Sequence, residues 1–219
     1  MQTAHALSVD PSRARAYVSP TSRRALLFCL LAVFLTGCGA ETKVTRTDPG
    51  VVIDLSGRWN DTDSRVVAEE MVKQALSYPW LENYVRAKGR QPVVVVGKIV
   101  NNSHEHINVQ TFVTDLEREL TNSQKVTFVA AKGEREQIRE ERREQAAQAR
   151  EDTQKAPGKE IGADYMMTGH ISTIPDEAFG VKAMFYQVDL ELIDLESNVK
   201  TWYGQKKIKK VIERKRTLF

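Results

Sequence analysis

The chain has 219 residues, enough for a leader and one domain with an adequate core, and its only cysteines are Cys29 and Cys38, too few for a disulfide framework. Its 32 Lys and Arg stand against 29 Asp and Glu, but residues 1–37 hold four of the basic residues (Arg13, Arg15, Arg23, Arg24) and one acid (Asp10), which leaves 28 of each beyond them. The basic surplus belongs to the first segment and gives no ground for a nucleic-acid partner.

Arg23 and Arg24 precede an apolar run from Ala25 to Leu35, which leads into Leu35-Thr36-Gly37-Cys38. The run is well short of the ~20 residues a bilayer-crossing helix needs, so the layout is that of a secretory leader over residues 1–37. The Leu-Thr-Gly-Cys ending resembles the bacterial lipobox. That resemblance implies cleavage before Cys38, a lipid on its sulfur, and attachment to a membrane through that lipid. Gly39 stands where an Asp would retain the chain at the inner membrane, so the expected address is the periplasmic face of the outer membrane. Cys29 is discarded with the leader and Cys38 carries the lipid, so no thiol remains for a disulfide, a nucleophile or a thiolate metal site.

Residues 38–50 form the lipidated cysteine and a short polar tether, with a reach of about 30–40 Å. A globular domain is expected over 51–212. It opens with a brief strand candidate, Val51-Val52-Ile53, and a turn over Leu55 to Ser64, with Asp63 or Ser64 placed to cap a helix from about Arg65 to Ser77. Pro79 interrupts that helix, and a second piece carries Trp80, Leu81, Tyr84 and Val85. Pro92 to Val100 is the clearest strand. Its four consecutive valines predict burial on both faces, with strands beside it and helices on both sides.

Ile107 to Leu120 has the period of an amphipathic helix, and Val126 to Val129 is the next strand. Gly133 to Asp152 is dense in charge and predicts a solvated helix with pairs such as Glu136/Arg139 and Glu140/Arg143. A short helix is expected to end at Lys159 to Gly162. A strand follows from Ala163 to Ile171, with Gly169 as a candidate bulge, and then a loop over Pro175 to Gly180. Val181 to Asp194 alternates as a half-buried strand. Glu196-Ser197-Asn198 turns the chain, and Val199 to Val211 returns as a hairpin partner. The order predicts an α/β single domain with a mixed β-sheet flanked by helices and ending in a β-hairpin. Residues 213–219 are a basic tail. The cluster Lys206, Lys207, Lys209, Lys210, Arg214, Lys215 and Arg216 suits an exposed strand edge, or a contact with an acidic partner or anionic lipid.

The chain carries no Gly-rich phosphate loop and no Gly-x-Ser-x-Gly elbow, and the expectation is a protein that is not an enzyme and needs no cofactor. His104, Glu105 and His106 lie close in sequence, but no third convergent ligand for a metal is visible. His170 reads as a strand-face residue. Asp189 and Glu191 share one strand face and read as solvated rather than catalytic.

Several blocks together resemble the LpoB family of outer-membrane lipoproteins that activate penicillin-binding proteins. They are Leu55 to Ser64, Pro92 to Lys98, Thr114 to Arg118, Gly162 to Gly169, Val188 to Leu192 and Trp202 to Lys210. The resemblance implies a fold like the small N-terminal domain of the TolB translocation protein. It also implies a non-enzymatic role, binding a bifunctional penicillin-binding protein and stimulating peptidoglycan synthesis. Known members carry a long proline-rich tether, whereas this chain has about ten residues between Cys38 and Asp48. The competing reading is a lipid-anchored binding module of another envelope assembly, TolB-like or curli-secretion-like. Arg58, Trp59 and Asn60 are motif residues better explained by a turn and a cap than by an interface.

Overall fold

A computed structural model of the chain describes residues 42–155 and 158–213. The leader, Cys38 and the tail residues Arg214, Lys215 and Arg216 lie outside the described residues. The element order is α1 (Asp61–Leu76), α2 (Pro79–Lys88), β1 (Val93–Asn102), α3 (Val109–Ser123), β2 (Thr127–Phe128), α4 (Lys132–Gln148), β3 (Tyr165–Ala178), β4 (Val181–Asp194) and β5 (Lys200–Glu213). The strands form one mixed sheet in the order β2-β1-β3-β4-β5. β1 runs parallel to β2 and β3, and β3-β4-β5 is an antiparallel meander. The expected α/β domain with a mixed sheet and a terminal hairpin is therefore present.

α1 starts four residues earlier than its apolar pattern suggests. Its cap is Asn60, whose side chain accepts from the Asp63 backbone N–H while the Asp63 carboxylate accepts from that of Asn60. Asp63 is thus the third helical residue of a capping box, and two first-turn orphan donors are satisfied reciprocally. Val51 to Ile53 form no strand; they belong to an exposed strap that precedes the cap. α2 opens on Pro79 and closes at Gly89, which holds the left-handed conformation (φ 66°) that a helix C-terminus favours. The Trp80 indole donates to the Ala75 carbonyl, which also accepts from the Tyr78 backbone N–H, and so ties α2 to the end of α1.

The sheet alternates inward and outward along each strand. One face carries Val94, Val96, Tyr165, Met167, Ile171, Val188, Leu190, Leu192 and Trp202, packed against Val67, Met71 and Ala75 of α1, Trp80 and Tyr84 of α2, and Phe112, Leu116 and Leu120 of α3. Every residue of this core lies between Trp59 and Ile212, so the segment from residue 49 onward contains the whole fold. All four valines of β1 are buried as the run predicts. The expected cover of helices on both sides is not what forms, because α1, α2 and α3 all pack on one face and Val93 and Val95 point away from that core. α4 buries none of its residues. Arg143 pairs with Glu140 as its spacing predicts, whereas Arg139 is drawn from Glu136 to Glu160, with Arg142 beside it. Residues 158–160 are not helical.

Asp164 aligns the parallel pair. Its carboxylate accepts from the Val93 backbone N–H at 2.7 Å, and its own N–H donates to the Val93 carbonyl at 2.8 Å. Arg90 clamps the same carboxylate with two 2.8 Å hydrogen bonds. Burial alone would raise the pKa of Asp164, but the guanidinium and the backbone donor outweigh it and hold it below the usual carboxylate range. β3 then runs on through Pro175 to Ala178, where a loop was expected. β1 pairs with β3 only as far as Asn102 and Ser172, so at Pro175 β3 is an edge strand, where proline's missing N–H costs little.

The bulge lies not at Gly169 but across from it. β1 loses register between Val96 and Ile99, so Gly97 and Lys98 oppose Thr168 alone. Gly169 instead permits close approach, since a Cβ there would stand 2.1 Å from the Asp189 carbonyl oxygen. Gly169→Ala is expected to destabilise the domain by about 3 kcal/mol through forced separation of β3 and β4, measured as a drop in urea midpoint at unchanged slope.

Candidate functional site

The motif from Leu55 to Ser64 folds back over the end of the sheet. Gly57 is buried against Ile212, and its carbonyl lies 2.9 Å from the Tyr186 hydroxyl. Trp59 packs edge-on to Phe112 with centroids 6.2 Å apart and lies tilted over Tyr186 at 5.6 Å. Lys210 reaches from β5 to this strap. Its ammonium donates to Asp54 at 2.8 Å and to the Arg58 carbonyl at 3.1 Å, and it pairs with Asp63 at 2.6 Å. Burial would lower the Lys210 pKa, but its two carboxylate partners raise it overall, so it stays charged at neutral pH. Motif residues Trp59, Asn60 and Asp63 are thus structural, as the turn-and-cap reading expects. Ser64 adds a 2.9 Å hydrogen bond to Asp115 of α3.

A cleft of about 380 Å³ opens between this strap and the β3–β4 hairpin, lined by Arg58, Trp59, His104, Glu105, His106, Ile107, Pro175, Lys182 and Met184. Glu105 is its inner wall. One of its oxygens lies 2.9 Å from the Tyr186 hydroxyl and accepts from the Trp59 backbone N–H at 3.2 Å. Burial, and then the Glu105 carboxylate, push the Tyr186 phenol far above its ordinary range, so it remains a donor. The His104 backbone N–H donates to Thr173 at 3.0 Å, and its ring nitrogen lies 3.0 Å from the same hydroxyl. His104 is therefore held to Thr173, and Glu105 is spent on the strap. Among the described residues no group of three or more His, Cys, Asp or Glu is placed to hold a metal. The Arg58 and Lys182 side chains have no ion-pair partner among the described residues, so the cleft suits contact with an anionic group rather than bond chemistry. Sequence reasoning singled out Glu105 only as a metal-ligand candidate and missed its structural role, which depends on a tyrosine 81 positions away.

Asp189 differs most from its sequence reading. It is 2% exposed rather than solvated, although it lies on the sheet face away from the helices. Tyr203, Gln205 and Gln187 donate to it, and the His170 ring stands 3.3 Å away. Cross-strand register makes this cluster, since His170, Asp189 and Gln205 are direct neighbours on β3, β4 and β5. Burial opposes its charge, but the hydrogen bonds from Tyr203, Gln187 and Gln205 outweigh burial and hold its pKa below the usual range. A carboxyl whose folded value is depressed contributes stability above its unfolded value, and that stability is lost as pH falls through the folded value. Asp189→Asn is expected to cost about 2 kcal/mol at pH 7, and the gap to the parent should narrow below about pH 4. Urea unfolding across pH checks it.

A sequence model described as "Peptidoglycan-synthase activator LpoB" matches residues 63–208, more than half of the chain. No curated protein matches. Among solved structures, the LpoB C-terminal domain from Escherichia coli is 18% identical, with 59% of this chain and 93% of that chain covered and a TM-score of 0.33. The LpoB C-terminal domain from Salmonella enterica is 16% identical, with 62% and 94% covered and a TM-score of 0.31. Lipoprotein GNA1162 from Neisseria meningitidis is 12% identical, with 57% and 88% covered and a TM-score of 0.33. At these identities and scores the solved structures add nothing to the assignment, which rests on the family match. The chain belongs to the LpoB family of peptidoglycan-synthase activators.

Proposed function

We propose that this chain is a non-enzymatic lipoprotein of the outer membrane, acylated on Cys38, that binds a bifunctional penicillin-binding protein and stimulates it. The observation that carries this reading is the family match over 63–208, which takes in the core from α1 to most of β5. The strap cleft supports a binding role, since its groups are tied to neighbours or stand as unpaired cations. No nucleophile with a base beside it lines the cleft.

Asp54 is held to Lys210, so the tether behind Cys38 is at most residues 39–53, about 50 Å when fully extended. The synthase domain it meets must come within the tether's reach plus the width of the folded domain itself. A synthase whose accessory domain lies beyond that combined reach cannot be its partner, and an envelope assembly nearer the outer membrane would then take that place.

Two measurements check this. Full-length chain in detergent micelles is expected to raise glycan polymerisation from lipid-linked precursor several-fold with at least one bifunctional penicillin-binding protein of its own cell. Absence of binding and of any rate change with all of them removes the activator reading. Cys38→Ser is expected to abolish labelled palmitate incorporation, read on the chain isolated from labelled cells.

A further inference from the structure

β1 is paired along only part of its outer edge. β2 lies beside it for two residues, Thr127 and Phe128, opposite Val93 and Val94. Val129 adds one backbone hydrogen bond, 3.0 Å to the Val94 carbonyl, and the chain then leaves for α4. Among the described residues no backbone hydrogen bond from another segment reaches β1 on that side between Val96 and Asn102. On its other side β1 stays paired with β3, past the bulge, as far as Asn102. The open stretch is therefore held as a strand, and it carries outward main-chain donors and acceptors that a further strand would fill.

A groove of about 390 Å³ runs beside this edge. One wall is β1 from Val96 to Ile99. The other is α3, where Val109, Val113 and Glu117 stand four residues apart and share one helix face. Both valines are only half-buried, so that wall is apolar and accessible. Glu134, in the first turn of α4, lines the groove as well. A strand edge with a helix beside it is the geometry in which an extended peptide adds to a sheet. Its backbone bonds to the edge, and alternate side chains rest against the helix.

Backbone chemistry and charge decide the occupant. A row of N–H and C=O groups at strand spacing is matched by another extended polypeptide, and neither a lipid nor a glycan repeats that pattern. The charged residues that line the groove are Glu117, Glu134 and Lys98. One Glu134 oxygen accepts from the Ala131 backbone N–H at 2.9 Å, which holds the carboxylate in place without neutralising it. Burial, and then the Glu134 carboxylate, push the Glu117 carboxyl above its ordinary range. Like charges that share a half-buried site without a cation between them have this effect. A basic side chain on the occupant would neutralise the pair. Lys98 and the bulge beside it guard the edge against unselected strands, so recognition needs the charge match as well as the backbone. α3 and the start of α4 flank the edge, so a free segment can enter where the equally flanked β1 edge of a second copy is kept off.

We propose that the β1 edge beside α3 is a strand-addition site for an extended segment of a partner protein. Apolar side chains of that segment face Val109 and Val113, and a Lys or Arg meets Glu117 and Glu134. The test uses the chain from residue 38 onward carrying Cys38→Ser, which keeps every core residue, and a phage-displayed library of random nonapeptides. Enriched peptides are expected to alternate β-branched and polar residues and to carry a basic one. With the tightest of them bound, as a synthetic peptide, amide hydrogen exchange should slow between Val96 and Asn102. Glu117→Lys is expected to weaken that peptide about tenfold at unchanged Tm, and Glu117→Gln to weaken it less. Replacing the basic residue of the peptide by Glu should restore its binding to Glu117→Lys. The proposal is overturned if no peptide is enriched over panning on an unrelated protein. Protection that falls outside Val96 to Asn102, or equal binding by Glu117→Lys, also overturns it. Self-association of the parent that Glu117→Lys abolishes would give the edge to a second copy, against the proposal. Each of these failures leaves the synthase assay above to decide the activator reading by itself.

Discussion

The sheet is covered by helices on one face only, and the rest of the molecule answers to that constraint. α1, α2 and α3 share one side, where alternate residues of β1, β3, β4 and β5 supply an apolar core without a break from Val94 to Trp202. The other side must remain stable in water. Near the middle it does so with polar groups that satisfy one another: Asp189 is buried, yet it accepts from Tyr203, Gln205 and Gln187. A buried carboxylate is tolerable only when its oxygens are filled, and here two side chains of β5 and one of β4 itself fill them.

The strap is the second device. It carries no regular structure, yet it ties the start of α1 to the last strand through Lys210, Asp54 and Asp63, and to the centre of the sheet through Tyr186. Sheet ends and helix starts usually expose unsatisfied groups, and a short segment with Gly, Trp and Asn at the right places covers both. Gly57 lets the strap approach Ile212 closely, Trp59 fills the gap beside Phe112, and Asn60 caps the helix. The family motif is therefore explained mainly by folding. Arg58 is the exception, because its side chain takes no part in that work.

Legibility followed the range of the signal. The valine run of β1, the period of α3 and the alternation of β4 are local, so they were readable at about the right positions. The solvated character of α4 was readable too, from its scarcity of apolar residues. Boundaries set by reciprocal side chains were not: the cap fell to Asn60 rather than Asp63 or Ser64, because either residue type suits a cap and only the folded geometry chooses. Pro175 read as a loop because proline removes a donor, and the sequence does not say that β3 has become an edge by that point. Gly169 read as a bulge because glycine serves bulges and close approaches alike.

Composition and local pattern by themselves determined the class of domain, the leader-like first segment, the neutral balance beyond it and the absence of enzyme motifs. Those properties depend on residues near one another or on simple counts. The one-sided packing, the Glu105–Tyr186 contact, the burial of Asp189 and the open edge of β1 were decided only by tertiary structure. Each depends on which strands become neighbours and in what register. A shift of one residue would turn Asp189 into the core and Leu190 out to solvent, and strand pairing alone chooses between those outcomes.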